Sequence, residues 1–216
     1  MHDVAEDQQA LKASKGLTLC AEYRKGSLAV AELDVMVLDL KRTLIISGGF
    51  FALFWFSASF LPGNAAAIGD FDYASLLYLP HGVRVIAAWL YGWKSIVYLA
   101  PGAYLAHFSR IPEHPDLWSL GEALQPMFGV VCVAMTFEVV ARLGVDLRLR
   151  AGFRAPWRSI LLVGALASLI NAIGANLVVQ NPPEVMLGYL VGDILGMILL
   201  FLVVMLIFRG LRRVGY

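Results

Sequence analysis

Three ionisable side chains stand where an apolar chain has little use for them. The stretch LYLPHGVRVIAAWLYGW, residues 77 to 93, carries His81 and Arg84 in a run greasy enough for lipid, and YLVGDILGMILLF, residues 189 to 201, carries Asp193. An arginine at the centre of a bilayer costs about 2.5 to 3.5 kcal/mol even on the lenient insertion scale, so a partner is expected at matching depth. His81 precedes Arg84 by three residues and shares its helical face. Two readings stay open: a structural salt bridge from Arg84 to Asp193 that fixes helix order, with His81 hydrogen-bonded nearby, or a solute site or proton-sensitive switch.

Other polar residues fall beside these three. Asn171 lies on a face with Gly164, Ser168 and Ala175, and Glu122 and Gln125 begin a stripe that continues through Gly129, Cys132 and Thr136. Steps of three and four put each set on one side of a helix. The candidate ligand-binding residues are therefore His81, Arg84, Asn171, Asp193, Gln125 and Glu122. Gly188, Gly192 and Gly196 repeat every four residues and read as a helix-packing seam.

No set of nucleophile, base and orienter is visible, and no metal cluster, so no catalytic residue, metal or cofactor is expected. Cys20 and Cys132 sit in a polar segment and an apolar one, without a disulfide pattern. Glu138 pairs most simply with Arg142 four residues on, and His107 and His114 read as solvated at the outer surface.

The elements that must position these residues are membrane helices. Of 216 residues, 59% are hydrophobic and 15% charged, against about 45 to 50% and 25% in a soluble domain. Runs of about 20 apolar residues cross a bilayer, and six fit: 43 to 62, 73 to 92, 95 to 108, 117 to 142, 157 to 179 and 185 to 208. Pro80 and Pro101-Gly102 interrupt the second and third. Basic residues collect before the first span, at Lys94, at 142 to 158 and in the tail, and are scarce between, as six spans with both termini cytoplasmic require. Counted from the outer ends, Arg84 lies eleven residues in from Tyr73, Asp193 eight in from Val185 and Asn171 eight in from Val179. All three thus share the outer half or the midplane.

The expected fold is an all-α integral membrane protein, a six-helix transmembrane bundle over residues 43–209. A partly disordered cytoplasmic segment, 1–42, with seven acidic and six basic residues, precedes it, and a basic cytoplasmic tail, 210–216, follows. The first apolar run serves as the targeting signal, and the bacterial inner membrane is the expected location. A net charge of +1 gives no reason to expect nucleic acid.

The stretch YLPHGVRVIAAWLYGWKSIVYLAPGAYLAH, 78 to 107, with SLINAIGANLVV, 168 to 179, and YLVGDILGMILLF, 189 to 201, resembles the bacterial membrane-associated sensor domains of the first MASE type. The likeness covers about residues 73 to 208. Pro80, Gly82, Gly92, Pro101, Gly102, Gly192, Asp193 and Gly196 carry it by position. His81 and Arg84 depart from the family's small or apolar positions, and no output domain follows Phe208. The resemblance implies a bacterial integral-membrane sensory module, usually fused to a histidine kinase or a cyclic-di-GMP enzyme; without an output domain or a catalytic set, the expectation is a stand-alone sensory or accessory module, not an enzyme, that binds a small solute or a membrane partner and relays to a separate protein. The alternative is the substrate-binding subunit of a small-solute transporter. The expected partners are the lipid bilayer, a membrane or cytoplasmic protein and a small-molecule ligand.

Overall fold

In the computed structural model of the chain, residues 32–59, 77–110, 120–145, 147, 156–179 and 183–213 are described. The chain divides into two compact units, Met1–Arg42 and Thr43–Tyr216. In the first, residues 32–42 are helical and largely exposed, with Arg42 Nη1 3.2 Å from Asp39 Oδ1 one turn back. Cys20 and His114 fall outside the described residues.

The regular structure described in the second unit is α-helical. Residues 43–59 form α1, followed by α2 (Leu79–Tyr91), α3 (Lys94–Arg110), α4 (Leu120–Arg142), α5 (Trp157–Val179) and α6 (Pro183–Arg213). Helix α2 is the hub. It packs most extensively on α6 and also meets α3, α4 and α5, while α4 bridges α3 and α5.

Sequence dictates where α2 begins and ends. Pro80 stands in its first turn, where the missing N–H would have no intrahelical partner anyway. The kink expected at Pro80 is thus replaced by a helix start. The backbone N–H of Tyr78, just before it, donates to the Gly192 carbonyl at 2.9 Å and ties this end to α6. At the other end Gly92, with φ +54°, turns the chain into α3, a conformation glycine adopts without strain. The 13 residues of α2 rise about 20 Å at 1.5 Å each, short of the roughly 30 Å hydrocarbon core.

Helix α3 runs unbroken through Pro101, where an interruption was expected. The adjoining turn is completed from outside. The Ser47 hydroxyl donates to the Tyr98 carbonyl at 2.6 Å and accepts from the Gly102 N–H at 3.0 Å, standing between two groups that an ordinary helical turn pairs directly. A Cβ on Gly102 would meet the Ser47 backbone at 2.5 to 3.0 Å, so this crossing of α1 and α3 needs glycine.

Two apolar clusters fill the interior. Val85 and Ala88 of α2 join Val133, Ile160, Val163, Ala167 and Met197, while Phe50 of α1 joins Ala87, Leu99, Ala103, Ala106 and Val130. The expected glycine seam on α6 faces this interior: Gly188, Gly192 and Gly196 are buried, whereas Leu187, Val191 and Leu195 on the other side are 41 to 55% exposed. Among the described residues three helices are long and apolar enough to cross a membrane, Ala123–Arg142, Trp157–Asn176 and Val185–Arg213. Their apolar outer faces suit contact with a lipid bilayer.

Candidate functional site

Between the middle of α2 and the facing turns of α3 to α6 lies a cavity of about 170 Å³. At roughly 30 Å³ per liquid water molecule, that is room for about five or six waters, or for one small solute. Arg84, Gln125, Asn171 and Asp193 line it, with Tyr78, His107 and Tyr189. Phe54, Pro126 and small residues of α3 and α5 complete the wall. Pro126 has no N–H, so the carbonyl four residues earlier in α4 loses its usual donor close to this cavity.

Arg84 dominates the site. Its side chain lies between aromatic rings, with the guanidinium carbon 5.3 Å from the Phe50 centroid and 5.4 Å from that of Tyr78, a favourable placement for a desolvated cation. Nη2 donates to the Tyr78 hydroxyl over a long 3.4 Å. Nε is buried and has no hydrogen-bond partner among the described residues. A guanidinium carries five N–H donors in a planar fork, and most of these are unspent on the protein.

The salt bridge from Arg84 to Asp193 is absent: Asp193 is engaged elsewhere. Its Oδ2 lies 3.4 Å from His81 Nδ1 and accepts from Asn171 Nδ2, also at 3.4 Å. Arg84 and Asp193 are both buried, 7% and 4% exposed, and face one cavity without forming an ion pair. Depth arithmetic placed them level, but it carried no information about azimuth around the helix axes.

Gly129 on α4 explains the position of Arg84. A Cβ there would lie 2.8 Å from Arg84 Nη1 and 3.3 Å from Asn171 Oδ1, so the guanidinium and the amide occupy the space that glycine leaves. Comparison with family models, with characterised proteins and with solved structures finds no match to this chain. The site must therefore be read from its own chemistry.

His81 sits behind the cavity and does not line it. Its Nε2 is 2.8 Å from Ser168 Oγ and 3.3 Å from the Gly164 carbonyl oxygen, and the Ser168 hydroxyl donates to that carbonyl at 3.1 Å. Ser168, His81 and Asp193 thus stand in the order of a nucleophile, base and orienter. The geometry stops short of that chemistry. Nδ1 is 3.4 Å from the carboxylate but out of line for a hydrogen bond, and neither Ser168 nor His81 reaches the cavity where a substrate would sit. The three residues instead fasten α2 to α5 and α6 through a buried polar chain.

Four of the six residues expected at a ligand site, Arg84, Asn171, Asp193 and Gln125, come together; His81 supports them from behind. Glu122 belongs to α4, and its side chain lies outside the described residues. Sequence reasoning missed Tyr78, Tyr189 and His107. His107 was expected at the outer surface, yet it lines the cavity half-buried, because the continuous α3 carries it one helical face inward with Ala103 and Ala106. The signal for it was the spacing 103, 106, 107. The Tyr78 ring lies with its centroid 5.4 Å from the Arg84 guanidinium carbon.

The expected pair of Glu138 and Arg142 forms on the outside of α4, at 3.1 Å. Among the described residues no group of His, Cys, Asp and Glu is arranged to hold a metal ion.

Proposed function

We propose that this chain is an integral-membrane module that binds a small solute in the cavity beside Arg84 and passes the resulting conformational bias to a partner protein. One observation carries the reading. Arg84 is buried on a cavity wall beside two aromatic rings, and among the described residues no carboxylate is paired to it and its Nε has no partner. An arginine kept only for structure is expected to end in a direct ion pair; one with a donor fork turned to an empty space suits recognition.

The wider setting belongs to the same proposal. Six crossings with both termini in the cytoplasm of a bacterial inner membrane accord with the alternation of arginine-rich and arginine-poor connections. The likeness to the first MASE type of sensor domain supplies the relay. Helix α2 offers a route for it, because it carries Arg84 and touches four other helices. A solute that draws on the guanidinium biases α2 against α6 only so far as it binds one arrangement better than another.

The test is a thermal-shift screen of the full chain in lipid nanodiscs against small polar solutes, followed by crosslinking in native membranes with and without each hit. The proposal expects a hit that stabilises the wild type, loses its effect on Arg84→Lys, and alters crosslinking to one partner. Hits that leave crosslinking unchanged but are accumulated by cells in an Arg84-dependent way would instead identify the transporter subunit. Stabilisation by the same hits of an Arg84→Lys protein as strongly as of the wild type would overturn the site.

A further inference from the structure

The cavity holds two opposite charges that do not meet, and one amide stands between them. Asn171 Oδ1 and Arg84 Nη1 converge on the space above Gly129, while Asn171 Nδ2 is 3.4 Å from Asp193 Oδ2. Guanidinium and carboxylate therefore flank Asn171 as two poles of one wall. Each pole is more than nine-tenths buried, where an ion short of partners is costly.

The charge pattern selects among solutes. A lone anion drawn to Arg84 enters the field of Asp193, and a lone amine drawn to Asp193 enters that of Arg84; in a poorly screened interior either repulsion is strong. A solute carrying both charges a few ångströms apart satisfies both poles and leaves the site with the net charge it had before. The remaining wall sets the size. Ala103, Ala106, Ala172 and Ala175 line the cavity, and with about 170 Å³ available they suit a short apolar substituent.

We propose that the cavity takes a small zwitterion of the α-amino-acid type, its carboxylate held by the Arg84 guanidinium and its ammonium by the Asp193 carboxylate. Planar fork and carboxylate match in bidentate fashion. Gln125 faces the same space from α4 and offers an amide to either pole. The assignment rests on the solute-binding reading above and adds the ligand's charge type and size.

Three matched probes test it on the full chain in nanodiscs: L-alanine, propionate, which lacks the ammonium, and ethylamine, which lacks the carboxylate. Glycine, L-valine and L-leucine extend the zwitterion series. Binding is read by calorimetry and by thermal shift. At least one amino acid should bind about tenfold or more tighter than either fragment, since a site built for two charges is left with an unmet pole by each fragment. Asp193→Asn, nearly isosteric, should weaken amino-acid binding about tenfold and bring propionate to within a few-fold of alanine. Gly129→Ala, which needs no loss of charge, should weaken all zwitterions by displacing Arg84 Nη1.

Propionate binding as tightly as alanine to the wild type would overturn the zwitterion assignment, with Asp193 then neutralised by His81, while leaving a solute site in place. Ethylamine binding as tightly would do the same. An amino-acid preference unchanged in Asp193→Asn also overturns it. If no probe binds a protein that still unfolds cooperatively, the zwitterion assignment falls, while the solute-binding reading stands or falls on the wider solute screen.

Discussion

Replacing Gly196 with alanine tests how α2 is seated. A Cβ at this position would overlap the Tyr78 carbonyl carbon and oxygen and stand 2.7 Å from Leu79 N. All three are backbone atoms at the start of α2, so no side-chain rotation relieves the clash. Relief requires α2 to move away from α6 by an appreciable fraction of an ångström. Overpacking of this kind costs about 1 to 3 kcal/mol, and loosening the Tyr78 N–H bond to Gly192 adds about 1 kcal/mol. Alanine recovers up to about 1 kcal/mol of helix propensity over glycine. The net expectation is a loss of about 1 to 3 kcal/mol. For a chain of this size, roughly 2 to 4 °C of melting temperature per kcal/mol then gives a fall of about 2 to 12 °C. Gly210→Ala is the control, because nothing lies within 4 Å of a Cβ there. It should be neutral or slightly stabilising. Both are measured by thermal unfolding in the same nanodisc. A Gly196→Ala protein melting within about 1 °C of wild type, or a Gly210→Ala protein falling as far, would refute the reasoning from backbone contact.

Three further outcomes are expected. Ser47→Ala removes the hydroxyl bridging Tyr98 and Gly102 and should cost about 1 to 2 kcal/mol, whereas Ser47→Thr, which keeps the hydroxyl, should cost less in the same unfolding assay. Trp89→Phe keeps the ring packing but deletes the 2.7 Å bond from Nε1 to the Leu147 carbonyl, so hydrogen exchange in the peptide containing Leu147 should quicken while exchange in α6 stays as it was. Arg142→Ala should shift stability by no more than about 0.5 kcal/mol, because the Arg142 side chain in this i, i+4 pair is itself 74% exposed.

Much of the architecture was legible because lipid imposes simple rules on sequence. Apolar runs of spanning length led to helices, and α4, α5 and α6 have the expected length and character. The inward faces were legible too. Gly164, Ser168, Asn171 and Ala175 shared a face by spacing, and Gly164, Ser168 and Ala175 are buried with Asn171 half-buried. Proline was harder. Pro80 was read as a bend in a long helix but occupies a first turn, and Pro101 was read as an interruption but lies in a continuous α3. The same residue type permits a start, a kink or a tolerated gap, and which of them occurs depends on whether another chain segment supplies the missing contacts. Next to Pro101, Ser47 of α1 completes the turn between Tyr98 and Gly102.

The candidate site divides along the same line. Composition and depth led to the expectation that Arg84, Asn171 and Asp193 share one level and face protein, since a bare charge in lipid is costly, and the three line one cavity. Only the tertiary structure decided which of them touch. Rotation of α2 against α6 turned Asp193 toward His81 and Asn171, set Arg84 against Phe50 and Tyr78, and left a cavity where a salt bridge was a natural expectation. Helical periodicity fixes direction relative to a helix's own axis, but pair contacts depend on how several axes are rotated and spaced, and that is settled by glycines such as Gly129 and Gly196 that let particular backbones and side chains approach.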